Sequence, residues 1–194
     1  NKGLTADDIT DVFLTHLHFD HVGGAVIRTE KGDLLPAFPN ATYWSNETHY
    51  HWASHPNIRE KASFLKENFV PLKEAGVLRF LDVTPEDQEW LPGISIRFVY
   101  GHTEAMMILK IQNGEQTFIY PTDVIPSSHH IGLPYVMSYD VRPLKTLEEK
   151  KRILEAAVEE GHILIFEHDH QVPACNLKRN DRGRIVKGEV FESL

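Results

Sequence analysis

The chain has 194 residues, a length that fits one domain, and 41% of them are hydrophobic, which excludes a disordered chain. The formal net charge of -8 argues against a nucleic-acid partner, because phosphate binding needs a basic face. Cys175 is the only cysteine, which excludes an internal disulfide and fits a reducing compartment. No apolar run reaches the roughly 18 residues of a membrane span. We therefore expect a cytoplasmic protein with no membrane partner.

The first predicted element is a buried strand over residues 9–15, where β-branched and aromatic residues dominate. It leads into T-H-L-H-F-D-H-V-G-G at residues 15–24, which places several coordinating side chains on a loop at the end of a strand. Ser45 or Asn46 predicts the start of a helix that runs to about residue 54. A second helix is predicted over residues 58–68 from apolar side chains near helical spacing.

From Val77 onward the chain is rich in predicted strands, which begin at Val77, Ile94, Met106, Thr117 and His162. Asn113-Gly114 predicts a hairpin, and Thr146 with Glu149 predicts a capping box at the start of a helix. The polar tail from Asn180 carries a turn and an edge strand. This mixture of strands and intervening helices predicts an α/β (α+β) fold with a site at one edge of the sheets.

The loop at residues 15–24 has the composition of a metal site. Side chains two apart in an extended chain point the same way, so His16 and His18 can bind one ion together. Asp20 and His21 follow where the chain turns and can face a neighbouring ion. Imidazole and carboxylate suit zinc and other first-row divalent metals. The preceding strand and the following glycines argue against a surface loop that is histidine-rich by chance.

Three further candidate ligands each stand just past a predicted strand. His102 follows I-S-I-R-F-V-Y, Asp123 follows T-F-I-Y-P-T, and His168 follows H-I-L-I-F-E. We expect His16, His18 and His102 to hold one ion. Asp20, His21 and His168 would then hold a second ion, with Asp123 bridging the two.

Taken in order and spacing, T-H-L-H-F-D-H-V-G-G, G-H-T, the aspartate after a strand, and F-E-H-D resemble the metallo-β-lactamase superfamily over essentially the whole chain. The details look most like the branch of N-acyl homoserine lactonases and methyl-parathion-hydrolase-like enzymes. This resemblance implies an αββα sandwich, here one domain over residues 1–194. It also implies a dinuclear, metal-dependent hydrolase.

The sequence departs from the family in three places. The metal motif begins at residue 16, so we expect the chain to lack the first N-terminal strands and to be incomplete at that end. The family's G-H-T-x-G-H is here G-H-T-E-A-M, which keeps the ligand His102 and loses the second histidine. Lactonases of the family carry a tyrosine three residues after the bridging aspartate, whereas this chain has Pro126, which argues against homoserine lactones as the substrate.

The expected mechanism uses a hydroxide that bridges two divalent ions and attacks a small ester, lactone or phosphotriester. Asp20 is the predicted catalytic residue, which would orient the nucleophile or relay a proton. Zinc is the expected metal, and manganese, iron and cobalt fit the same ligands. An incompletely covered sheet would favour a homo-oligomer.

Other polar residues have weaker assignments. His130 and Tyr135 follow Asp123 and would contact the substrate at the mouth of a pocket. His49, His51 and His55 are expected on a packing or solvated helix face. His168 is preferred to His170 as the ligand, with Asp169 as a partner that supports it.

Alternative functions on the same fold are a nuclease, an iron enzyme and a non-catalytic scaffold. The net charge of -8 argues against a nuclease. His18 stands where flavodiiron proteins have glutamate, which argues against that branch. A mono-iron sulfur dioxygenase and a scaffold that lost activity stay open at this point.

Overall fold

The computed structural model describes residues 3–192, which fall into two compact units. The N-terminal unit ends at Val83 and the C-terminal unit begins at Thr84. Helices and sheets alternate along the chain, so the prediction of a mixed α/β (α+β) fold is confirmed. The prediction of one domain over residues 1–194 stays a prediction. Within residues 3–192, no helix is both long enough and apolar enough to cross a membrane.

The N-terminal unit contains a three-stranded parallel sheet in the order β1-β4-β5 and a separate antiparallel pair, β2-β3. Its core is a cluster of buried apolar side chains around Leu17, Tyr43 and Phe69. Its elements are β1 (Asp11–Phe13), α1 (Phe19–Val22), β2 (Val26–Arg28), β3 (Leu34–Pro36), β4 (Thr42–Asn46), α2 (Glu47–Ser54), α3 (Val70–Glu74) and β5 (Leu78–Leu81).

The predicted N-cap of α2 is confirmed. The Asn46 side chain accepts a hydrogen bond from the His49 backbone N–H at 2.7 Å, which satisfies one of the unpaired donors of the first helical turn.

The predicted helix over residues 58–68 is wrong. The chain forms turns there, followed by a short 3-10 segment at Lys66–Asn68. The Asn57 side chain accepts from the backbone N–H groups of Arg59 and Glu60, which favours a turn over a helix. Glu60 is buried and needs polar partners, which the turn supplies.

The C-terminal unit contains a seven-stranded sheet in the order β12-β11-β10-β9-β8-β7-β6. Its core is an apolar cluster that includes Ile108, Ile153 and Leu164. The elements are β6 (Gln88–Leu91), β7 (Ile94–Val99), β8 (Met106–Asn113), β9 (Gln116–Tyr120), α4 (Pro143–Glu159), β10 (Ile163–Ile165), β11 (Ala174–Arg179) and β12 (Ile185–Phe191). The hairpin at Asn113-Gly114 is confirmed, since β8 and β9 pair directly across it and Gly114 has a positive φ of 61°.

The predicted capping box at Thr146 and Glu149 is wrong. Helix α4 begins at Pro143, whose fixed φ suits the first helical position and whose missing N–H would be unpaired there in any case. Thr146 and Glu149 therefore lie inside the helix. The Glu149 carboxylate accepts instead from the backbone N–H groups of Tyr100 and Gly101, at 2.8 and 3.0 Å.

The sheet brings three chain segments to one edge. β9 and β10 pair in parallel, and β7 runs in the same direction because it is antiparallel to β8, which is antiparallel to β9. The carboxyl ends of β7, β9 and β10 therefore point to the same edge. His102, Asp123 and His168 follow these three ends, as the sequence predicted.

Candidate metal centre

His16 and His18 lie between β1 and α1 and are buried, whereas His21 lies within α1. The rings of His16 and His18 are 4.7 Å apart between centroids, and those of His16 and His21 are 3.9 Å apart. His16 and His18 offer ligand nitrogens within 4.8 Å of each other. Their side chains can therefore meet one ion, as their spacing of two residues predicted.

Asp20 has a different environment from the histidines beside it. Its side chain is 41% exposed, whereas the His21 side chain is only 6% exposed, and the two approach to 3.6 Å between Oδ2 and Nε2. A carboxylate with this access to solvent can exchange protons with water. The position of Asp20 is thus compatible with the predicted proton relay. Its roles as metal ligand and as proton relay stay predictions.

Two buried residues support the motif, and neither was assigned this position from the sequence. His49 Nε2 accepts a hydrogen bond from the Leu17 backbone N–H at 2.8 Å, which fixes the loop between His16 and His18. The Glu60 carboxylate lies 3.6 Å from His18 Nε2. Its other oxygen accepts from Trp52 Nε1 and Asn57 Nδ2, so the carboxylate is held firmly although it is buried.

His49 is therefore buried and packed, as expected for that helix face. His51 and His55 are exposed, and their rings lie 4.6 Å apart.

In the C-terminal unit, Asp123 stands between two histidines. Its Oδ2 lies 3.0 Å from His102 Nε2, and its Oδ1 lies 3.4 Å from His168 Nε2. Each carboxylate oxygen thus faces a different imidazole. Asp123 and His102 are buried, whereas His168 is exposed.

The other nitrogen of His102 also faces a carboxylate. Nδ1 lies 2.9 Å from Oδ1 of Asp140, which is fully buried. Burial by itself would lower the pKa of His102, but Asp123 and Asp140 outweigh it and raise the pKa to about 9. Asp140 holds the proton on Nδ1, so Nε2 is the nitrogen that would bind a metal ion in exchange for its own proton, which is the usual arrangement of a metal-ligating histidine.

Gly101 makes the close packing before His102 possible. A Cβ on Gly101 would lie 2.4 Å from the backbone nitrogen of Thr146, so no other residue fits without a shift of the chain. Together with the hydrogen bonds from Tyr100 and Gly101 to Glu149, this contact holds the His102 loop on α4.

The segment after Asp123 carries the two predicted substrate residues. His130 Nδ1 lies 2.8 Å from Ser127 Oγ, and burial lowers the pKa of His130, with Lys150 adding to the effect. Tyr135 is 64% exposed, and its backbone carbonyl accepts from Lys150 Nζ at 2.6 Å. Contact of His130 and Tyr135 with the substrate stays a prediction.

The loop after β10 brings His168 to Asp123 and leaves His170 exposed. Asp169 accepts from the Ser128 backbone N–H at 2.9 Å and from the Ser128 hydroxyl at 2.6 Å. These bonds join the loop that carries His168 to the segment after Asp123.

The family model for the metallo-β-lactamase superfamily matches residues 1–168. This chain belongs to the metallo-β-lactamase superfamily. The motifs from which the resemblance was inferred lie within the matched region except for the final residue, Asp169, so that inference is confirmed.

The curated relatives that match are lactonases. The chain is 25% identical over 179 residues to an N-acyl homoserine lactonase of Bacillus thuringiensis and to N-acyl homoserine lactonase AiiA of Bacillus thuringiensis subsp. kurstaki. The match covers 90% of this chain and 62% of each relative, so the chain spans less than two thirds of their length.

Solved structures show the same fold. A probable metal-dependent hydrolase from Staphylococcus aureus is 27% identical with a TM-score of 0.81, over 99% of this chain and 66% of that one. AidC, a dizinc quorum-quenching lactonase, superimposes with a TM-score of 0.79 at 21% identity, over 98% of this chain and 68% of its own. At that identity AidC supports the fold alone.

Proposed function

We propose that this chain is a metal-dependent hydrolase that opens lactone rings, with small esters and phosphotriesters as the neighbouring substrate classes. The observation that carries the proposal is the Asp123 carboxylate, which presents one oxygen toward His102 and the other toward His168. A carboxylate held in this way can be shared by two ions. The lactonase relatives, at 25% identity, support the same class of reaction, while Pro126 in place of their tyrosine favours a lactone other than a homoserine lactone.

The donor set fits divalent metal ions. Buried imidazoles with a buried aspartate are the ligands that zinc and its neighbours prefer. We assign His16, His18 and His102 to one ion and Asp20, His21 and His168 to another, with Asp123 shared. When bound, two such ions supply an activated water and a Lewis acid for the substrate oxygen.

The chain's own residues prepare the reaction. Asp140 holds His102 with Nε2 directed toward Asp123. Asp20 reaches solvent and can pass a proton to the leaving alkoxide. His130 and Tyr135 would contact the part of the substrate that does not react. We also propose a cytoplasmic location and a homo-oligomer, both from sequence considerations only.

The first test is the metal content per chain after purification without added metal or chelator. We expect about two divalent ions in the parent protein and a loss in His18→Ala, with exposed His51→Ala as the matched control. A panel of lactones, aryl esters and phosphotriesters then ranks the substrates. If the ester or phosphotriester is cleaved faster than any lactone, the lactone assignment is wrong.

The same experiment separates the alternatives. One iron per chain together with oxygen uptake on a persulfide would replace the hydrolase with a sulfur dioxygenase. No bound metal after reconstitution would indicate a non-catalytic chain.

A further inference from the structure

Glu167, directly before His168, belongs to no part of the predicted ligand set, yet it lies among the ligands. It is partly buried and follows β10, whose end is adjacent to the end of β9 because the two strands pair in parallel. Asp123, Glu167 and His168 each offer one ligand atom, and these atoms lie within 4.8 Å of one another.

We propose that Glu167 is a further metal ligand, for the ion that Asp123 and His168 hold. This proposal rests on the proposed function, since it assigns a residue of this chain to the same centre. Donor atoms at about 2.0–2.2 Å from one ion lie at most about 4.4 Å apart. The separation in the structure, within 4.8 Å, is close to what one ion requires.

Tyr120 holds the Glu167 carboxylate in place. Its hydroxyl, on the last residue of β9, donates to Oε2 of Glu167. A tyrosine hydroxyl carries its proton at neutral pH, so it acts as the donor to the carboxylate. Because Tyr120 fixes the position of Oε2, the position of Oε1 follows from the geometry of the Glu167 carboxylate.

A third carboxylate changes the character of the centre. With Asp20 and Asp123 as its carboxylates, a centre of two divalent ions keeps a positive net charge. Glu167 adds one negative charge and lowers that net charge by one. Oxygen donors are also harder than imidazole and suit manganese and iron better than an all-histidine site does. We therefore expect Glu167 to raise the number of ligands on one ion and to widen the range of metals that it accepts.

The test is a titration of the metal-free chain with Co²⁺, followed in the visible spectrum and by competition with a chelator. The parent chain should bind two equivalents, one of them with the weak absorption of a five- or six-coordinate ion. In Glu167→Gln we expect at least about tenfold weaker binding of that equivalent and a stronger absorption, because the ion loses one ligand. Mn²⁺ affinity should fall more than Zn²⁺ affinity.

Two variants separate ligation from a structural role. Tyr120→Phe removes the hydrogen bond and keeps the carboxylate, so it should bind two equivalents with a smaller loss. Glu115→Gln makes the same substitution in the hairpin at the other end of β9 and should leave both equivalents unchanged.

The outcomes are distinct. If Glu167→Gln binds both equivalents with the parent's affinity and spectrum, Glu167 is only the partner of Tyr120 and the inference is overturned while the proposed function stands. If the parent chain takes up no Co²⁺, both are overturned.

Discussion

The two units carry their candidate ligands in different ways. In the N-terminal unit the ligands come from the six residues 16–21, and the imidazole rings contact one another at 3.9 and 4.7 Å between centroids. In the C-terminal unit they come from three strand ends, and each histidine faces a carboxylate oxygen of Asp123. A short motif can bring donors together by its own geometry, whereas donors from distant segments need a sheet and supporting side chains.

The difference extends to the residues that support the ligands. Asp140 lies at hydrogen-bond distance from His102, at 2.9 Å, and both side chains are buried. Glu60 lies 3.6 Å from His18, which is longer than a hydrogen bond. We therefore expect the C-terminal unit to depend more on its supporting carboxylate than the N-terminal unit does.

The largest effect is expected for Asp123→Asn. The amide removes the charge and offers one oxygen where the carboxylate offers two. Loss of a residue that only supports a ligand lowers activity about 10- to 100-fold, and we expect the rate of hydrolysis to fall further in Asp123→Asn. Metal analysis and kcat/KM measure it. Asp181→Asn, in an exposed turn of the same unit, is the control. Near-normal activity with two bound ions would contradict a shared role for Asp123.

Asp140→Ala should weaken metal binding about 10- to 100-fold, because His102 loses the acceptor that orients it. Asp140→Asn keeps an acceptor oxygen and should recover much of the loss. Chelator competition measures both affinities. Equal losses in the two variants would show that charge, and not the orientation of His102, is what Asp140 contributes.

Cys175 reports on the C-terminal unit alone. The thiol is fully buried in β11, and burial raises its pKa to about 11, so a thiol reagent at pH 8 labels it only when the unit opens. Metal at about ten times its Kd should slow labelling about tenfold. In His102→Ala the same addition should have little effect. Equal protection in both proteins would mean that the metal does not stabilise this unit through His102.

The smallest effect is expected for Glu60→Gln. The amide oxygen can still accept from Trp52 and Asn57, so the substitution changes mainly the charge near His18. We expect a loss of metal affinity of less than about tenfold. Glu60→Ala should in addition cost about 1–3 kcal/mol of unfolding free energy for each donor left unpaired, measured by denaturant titration. A loss in Glu60→Gln as large as that in Asp140→Ala would remove the contrast between the units.

Much of the C-terminal unit could be predicted because its strands have strong local signals. Alternating and apolar runs marked β7, β8 and β9, and the hairpin between β8 and β9 has its own turn signal at Asn113-Gly114. Local signals failed where a side chain bonds to a distant segment. Thr146 and Glu149 match a capping box, yet Glu149 serves the backbone of Tyr100 and Gly101.

The sequence by itself determined the family, the mixed fold class and the types of ligand, because the H-x-H-x-D-H motif and the strand ends are local patterns. Only the tertiary structure decided that Asp140 supports His102 and that Glu60 lies near His18. It likewise placed Glu167 among the ligands. The physical reason is that each of these contacts joins residues about 40 positions apart: Glu60 with His18, Asp140 with His102, and Glu167 with Asp123. Such contacts depend on how strands pair and loops pack, which no periodicity in the chain records.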